Sequence, residues 1–111
     1  MSMVDTIPGA VIVASGNMSS NVTSAATDCL SFSAVGIQVV WTGTPTGTFD
    51  VLASIDGTHY SSLGLSSLPA PAGSGGSGLI PLAYPFPYRY VELKFTRVSG
   101  AGSLNAYLVA K

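Results

Sequence analysis

The chain has 111 residues, 8% of them charged, and a formal net charge of −1. An ordinary globular protein carries about 25% charged residues, and the four basic residues here leave no electrostatic footprint for nucleic acid. The length suits one domain, and a membrane-spanning helix, which takes about 20 consecutive apolar residues, is excluded because Ser, Thr, Gly or Gln interrupts every apolar run.

With 47% hydrophobic residues the chain is too apolar for a disordered segment. What remains is a folded domain whose surface is Ser, Thr and Gly rather than Lys and Glu, and such surfaces are often buried in large assemblies. Cys29 is alone, so it forms no internal disulfide and reads as a small buried hydrophobe. The N-terminus lacks a basic region followed by an apolar run, so secretory export is not expected. Asn17 and Asn21 match the glycosylation pattern and are read as chance matches.

In chain order, residues 1–9 end in Pro-Gly and read as an N-terminal arm, with residues 10–111 forming the domain. Ala10 to Ala14 is a β-branched run that predicts the first strand. Ser19 to Asp28 reads as one poorly covered strand and a turn. Leu30 and Phe32 alternate with serines, opening a further strand. Ile37, Val39 and Trp41 alternate against Gln38, Val40 and Thr42, which makes Trp41 a core ring rather than a ligand-stacking platform. After a Gly/Thr/Pro loop, Phe49, Val51, Ala53 and Ile55 form the next inward row, and the two strands are expected to pair as a hairpin.

Asp56-Gly57 carries the strongest turn signal, because a tight hairpin needs positive φ. Neither Asp56 nor His59 has neighbours at metal-ligand spacing, so no metal site is expected. Leu63 to Gly78 holds two prolines and a Gly/Ser run that excludes a regular element from its second half. Its leucines, Leu63, Leu65 and Leu68, are expected to lie against a surface. Leu79 to Ala83 predicts a short strand that Pro81 marks as an edge. Tyr84 to Tyr88 is a stiff aromatic and proline connection, read first as a lid over one end of the domain.

From Tyr88 onward Val91, Leu93 and Phe95 form a core row, with Arg89 and Arg97 at its ends and Tyr90, Glu92 and Lys94 opposite. Beyond a glycine turn, Leu104, Ala106, Leu108 and Ala110 alternate against Asn105, Tyr107 and Val109, so this last strand is apolar on both faces. Read as a terminal hairpin, it needs a cover for its second face, and Tyr107 and Val109 become candidates for an intersubunit contact. The pattern as a whole predicts an all-β fold, a single antiparallel β-sandwich or jelly-roll-like domain of about eight strands. No nucleophile and base, paired carboxylates or phosphate-cradling loop occurs, so neither catalysis nor a cofactor is expected.

Two segments, Gly47 to Tyr60 and Tyr88 to Tyr107, together resemble the small β-sandwich modules of tailed-bacteriophage virion proteins. More distantly, the order Ser-x-Asp-Gly-x-x-aromatic followed by Arg-Tyr-Val-x-Leu is similar to discoidin-like domains. The first resemblance implies a capsid decoration or cement protein, made in the host cytoplasm and placed on the virion surface. Its implied partners are the major capsid protein and copies of itself, often as a homotrimer. Expected contacts are Met3, Val4 and Ile7 of the arm, Leu63, Leu65 and Leu68 of the long loop, and Tyr107 and Val109. The discoidin likeness implies the alternative, a tail or head-fibre glycan-binding module using Tyr60, Tyr84, Phe86 and Tyr88. Against that family's pattern, Tyr60 stands where Trp is common and a single Cys forbids its disulfide.

Overall fold

Period-two alternation in the sequence becomes two packed sheets. The computed structural model describes residues 7–29, 32–65, 68–72, 74–82 and 85–111, with backbone only for 7–9. Within these residues lie β1 (Ile7–Asn17), β2 (Val22–Thr23), β3 (Thr27–Asp28), β4 (Val35–Gly43), β5 (Thr46–Ser54), β6 (Ser61–Ser62), β7 (Gly76–Pro81), β8 (Tyr90–Ser99) and β9 (Gly102–Ala110). One sheet, here sheet A, has the order β1-β9-β4-β7, and sheet B has the order β2-β8-β5-β6 with β3 also on β8. All pairings are antiparallel. The chain is a single β-sandwich domain.

The inner rows are those the alternation predicts. Ile37, Val39 and Trp41 of β4 and Leu104, Ala106, Leu108 and Ala110 of β9 face Phe49, Val51 and Ala53 of β5 and Val91, Leu93 and Phe95 of β8. Trp41, Phe49 and Phe95 form a tilted aromatic series across the core, with ring centroids 5.8 and 5.4 Å apart. Tilted offset rings of this kind add to the apolar burial that holds the layers together. Met18, which alternation does not mark because it lies between strands, is fully buried, and its N–H donates to the Gly102 carbonyl.

Two expected hairpins are arches instead. β4 and β5 belong to different sheets, and so do β8 and β9. Pro45 in the first connection holds φ negative, which a two-residue primed turn does not accept, and the chain crosses to the other sheet. The two crossovers nest against each other, with Thr44 N–H donating to the Ala101 carbonyl at 2.9 Å. Gly43 and Gly100 hold φ of 84° and 79°, and a Cβ on Gly100 would collide with the Thr44 backbone. Glycine is therefore what lets the crossovers meet backbone to backbone.

Other expectations are corrected in detail. β1 begins at Ile7, inside the segment read as an arm, and pairs there with Ala110. Ser19 to Asp28 forms two short strands joined at Ser24 rather than one. Leu30 and Ser31 lie outside the described residues, and Phe32 to Ala34 is not strand, so β4 starts at Val35. Ile55 leaves the inner row and is 70% exposed, because the chain turns there into the loop 55–60 that joins β5 to β6. Part of the Gly/Ser run is regular structure: Gly76 and Gly78 are paired residues of β7, whose edge position agrees with Pro81.

Candidate functional site

The outer face of sheet A is the most distinctive surface of the molecule. Its four strands contain no Asp, Glu, Lys, Arg or His. Charge collects on the other side: Asp28, Asp50, Glu92, Lys94 and Arg97 all lie on strands of sheet B. There Asp50 stands opposite Lys94, and Leu52 opposite Glu92.

Register places the outward residues of sheet A in rows. Val11, Tyr107, Gln38 and Leu79 run across all four strands, and Val109, Gly36 and Pro81 form the next row. Val11 is 57% exposed, Leu79 70% and Val109 42%. Between the rows is a hollow of about 390 Å³ bordered by Gln38, Leu79, Pro81, Tyr107 and Val109. Gly36 is its floor. A Cβ there would touch only Val109, at 3.7 Å, so the hollow exists because residue 36 has no side chain rather than because packing forbids one. The double-sided apolar character of β9 thus has a plain geometric origin: its inner row is core, and its outer row, with Tyr107 and Val109, is the centre of this face.

A second, more polar site sits at the end of the sandwich near the β5–β6 loop. Asp56 Oδ1 accepts from Ser54 Oγ at 2.9 Å, Thr58 N–H at 2.8 Å and His59 N–H at 2.9 Å, while Oδ2 meets His59 Nδ1 at 2.7 Å. These donors, the His59 amide first, hold the Asp56 carboxyl well below the usual carboxylate range. Gly57 takes φ of 80° and lies against the Tyr90 ring. Asp56, His59, Ser61 and Tyr88 share a shallow cleft of about 330 Å³. Nearby, Arg89 pairs with Asp28 at 3.2 Å and stacks 5.0 Å over Tyr90. Among the described residues no group of three or more His, Cys, Asp or Glu is placed to hold a metal.

The sequence-derived candidates fall into distinct places. Met3 and Val4 lie outside the described residues, and Ile7 opens β1. Leu63, Leu65 and Leu68 are half-buried and pack on the chain's own core. Tyr107 and Val109 share the outer face of sheet A. Among the aromatics, Phe86 is buried, Tyr88 is half-buried and edge-on to Phe86 at 5.4 Å, and Tyr60 is half-buried. Tyr84 lies outside the described residues. Alternation alone did not single out Val11, Gly36, Leu79 and Pro81, because only the strand order brings them beside Tyr107. Comparison with protein-family models, curated proteins and solved structures finds no match.

Proposed function

We propose that this chain is a structural protein of a tailed-bacteriophage virion, a capsid decoration protein that sits on the outer head surface and reinforces the shell. It does so through contacts with the major capsid protein and with copies of itself. One observation carries the reading: four strands without a charged residue present an uncharged outer face with an apolar centre at Val11, Tyr107, Val109 and Leu79, opposite a sheet that holds five charges on its strands. An exposed face of that kind is stable in water only at a cost, and covering it favours assembly. In a symmetric shell each contact can be modest because it is repeated many times.

Residues 1–6, which precede β1 in the sequence, are the segment we assign to the capsid contact. Removing residues 2–6 spares β1, which starts at Ile7, and is expected to leave a folded protein that no longer co-sediments with particles stripped of their own copies. Full rebinding by the truncated protein would remove the arm from the contact, and failure of the intact protein to bind would count against decoration itself.

A second reading, a glycan-binding module, draws on the cleft that Tyr88 lines together with Ser61 and the hydrogen-bonded Asp56–His59 pair. An aromatic face beside preorganised polar groups suits a sugar ring. In that case Tyr88→Ala would abolish binding to host-surface polysaccharide, whereas a decoration protein shows no such binding to lose.

A further inference from the structure

We infer that the Asp56–Gly57 peptide bond is the latent isomerisation site of this chain, and that the Ser54 hydroxyl guards it by engaging the Gly57 amide. The inference is independent of where the protein acts, and it starts from the sequence. Asp56-Gly57 is the only place where an Asp or Asn precedes glycine; every other Asp and Asn precedes a residue with a side chain. Glycine has no Cβ to hinder attack by its own nitrogen on the preceding side chain, so this pair is the most reactive of its kind in the unfolded chain.

The reaction needs only water. The Gly57 nitrogen attacks Cγ of the protonated Asp56 carboxyl, the N–H proton is lost, and one carboxyl oxygen leaves as water to close a succinimide. Water then adds at either imide carbonyl and breaks its C–N bond. One opening restores Asp; the other leaves an isoaspartate, whose backbone runs through Cγ and carries an extra methylene.

Turn geometry keeps the pair in place. Gly57 holds φ of 80°, and a Cβ there would stand 3.1 Å from the Tyr90 ring, so an L side chain is disfavoured twice over. Asp56 caps the loop by accepting from the Thr58 and His59 amides. The labile pair therefore has to be protected where it stands. Burial does not protect it, because the Asp56 side chain is 55% exposed and water reaches it.

Hydrogen bonding does. The Gly57 N–H donates to Ser54 Oγ at 2.9 Å, and the same hydroxyl donates to Asp56 Oδ1 at 2.9 Å. Ser54 thus bridges the nucleophile and the electrophile of the reaction, and it is buried. A hydroxyl is no base near neutral pH, so it holds the amide proton in place without removing it. On the carboxyl side, Oδ1 also accepts from the two loop amides and Oδ2 meets His59 Nδ1 at 2.7 Å. Ring closure expels one of these oxygens and turns the other into an imide carbonyl, so it forfeits these contacts together with the Ser54 bridge. The same donors keep the carboxyl ionised, and a carboxylate is a poorer electrophile than the protonated acid.

The test is isoaspartate formation in the folded full chain, read by isoaspartyl methyltransferase labelling and located by peptide mapping through a long incubation at physiological temperature and mildly acidic pH. Wild type, Ser54→Ala and Ser54→Cys are compared with a free peptide of residues 52–60. The wild type is expected to isomerise about tenfold more slowly than the peptide, and Ser54→Ala about fivefold faster than the wild type, the factor that one ordinary hydrogen bond is worth. The isoaspartate should be confined to residue 56, with an unchanged circular dichroism spectrum. Ser54→Cys, whose thiol is a weaker hydrogen-bonding group of similar shape, is expected between the wild type and Ser54→Ala, and it carries the comparison if the alanine variant does not fold. A wild-type rate equal to the peptide's, an unchanged rate in the folded Ser54 variants, or isoaspartate arising first at another residue would each overturn the inference.

Discussion

Asp56 concentrates more hydrogen bonds on one side chain than any other carboxylate described here, and its acidity is the local signature of the β5–β6 turn. Its folded-state pKa lies below the unfolded value of about 3.9, so the turn gains stability from ionisation that is fully present above that value and is lost as pH falls through the folded pKa. The carboxylate is exposed, so the effect is local. Amide exchange at Thr58 and His59, whose N–H groups donate to Asp56, should accelerate in Asp56→Ala at neutral pH, while core amides are unchanged; equal protection in the variant would mean that the carboxylate does not hold the turn. Ser24 plays a stricter part. It is buried, its Oγ accepts from Leu93 N–H at 2.9 Å, and its backbone N–H donates to the Leu93 carbonyl at 2.8 Å, so one residue, through side chain and backbone together, bridges the gap between β2 and β3. Ser24→Ala leaves the Leu93 amide unpaired and should cost about 1–3 kcal/mol in urea unfolding, against a loss near zero if the edge repacks. Cys29 is held inert by burial, which, with Asp28 nearby, pushes its thiol up to about 11. A thiol reagent is therefore expected to react with it at the rate of unfolding rather than at the rate of a free cysteine.

At the scale of elements, the inner rows were legible because alternation over eight or more residues admits one assignment of faces. Trp41, Phe49, Phe95 and Leu104 follow from it directly. Sheet membership was not legible, because alternation says which side chains face inward and nothing about which neighbour a strand pairs with. Pro45 was the available clue, since its fixed φ disagrees with a tight hairpin. The glycine run misled for a different physical reason. Gly76 and Gly78 occupy inward positions of β7, one beneath the Trp41 ring and the other against Pro69, where a Cβ would come within 2.9 and 2.7 Å of its neighbours. Small residues there are a packing requirement of a strand, and they read in isolation as a flexible linker. Gly78→Val should cost about 1–3 kcal/mol through overpacking, measured by chemical denaturation; the same change at Gly36, where space is open, should cost much less. A stability loss at Gly36 equal to that at Gly78 would contradict this reading of the two sites.

For the molecule as a whole, the decisive feature is the partition of charge between sheets, and its visibility depended on topology. The absence of charge from each strand of sheet A is plain in the sequence, yet the four segments are scattered from Ile7 to Ala110 and become one face only through the order β1-β9-β4-β7. That face, with the hollow over Gly36, is what turns a charge-poor composition into an argument for assembly. The central proposal is that the assembly is a phage head, and the copy number of this chain in purified virions of the phage proposed to carry it, by quantitative mass spectrometry against the major capsid protein, tests it most directly. The account predicts many copies in a fixed ratio commensurate with the capsid lattice; a few copies per particle, as a tail-tip component would show, or none at all, would contradict it.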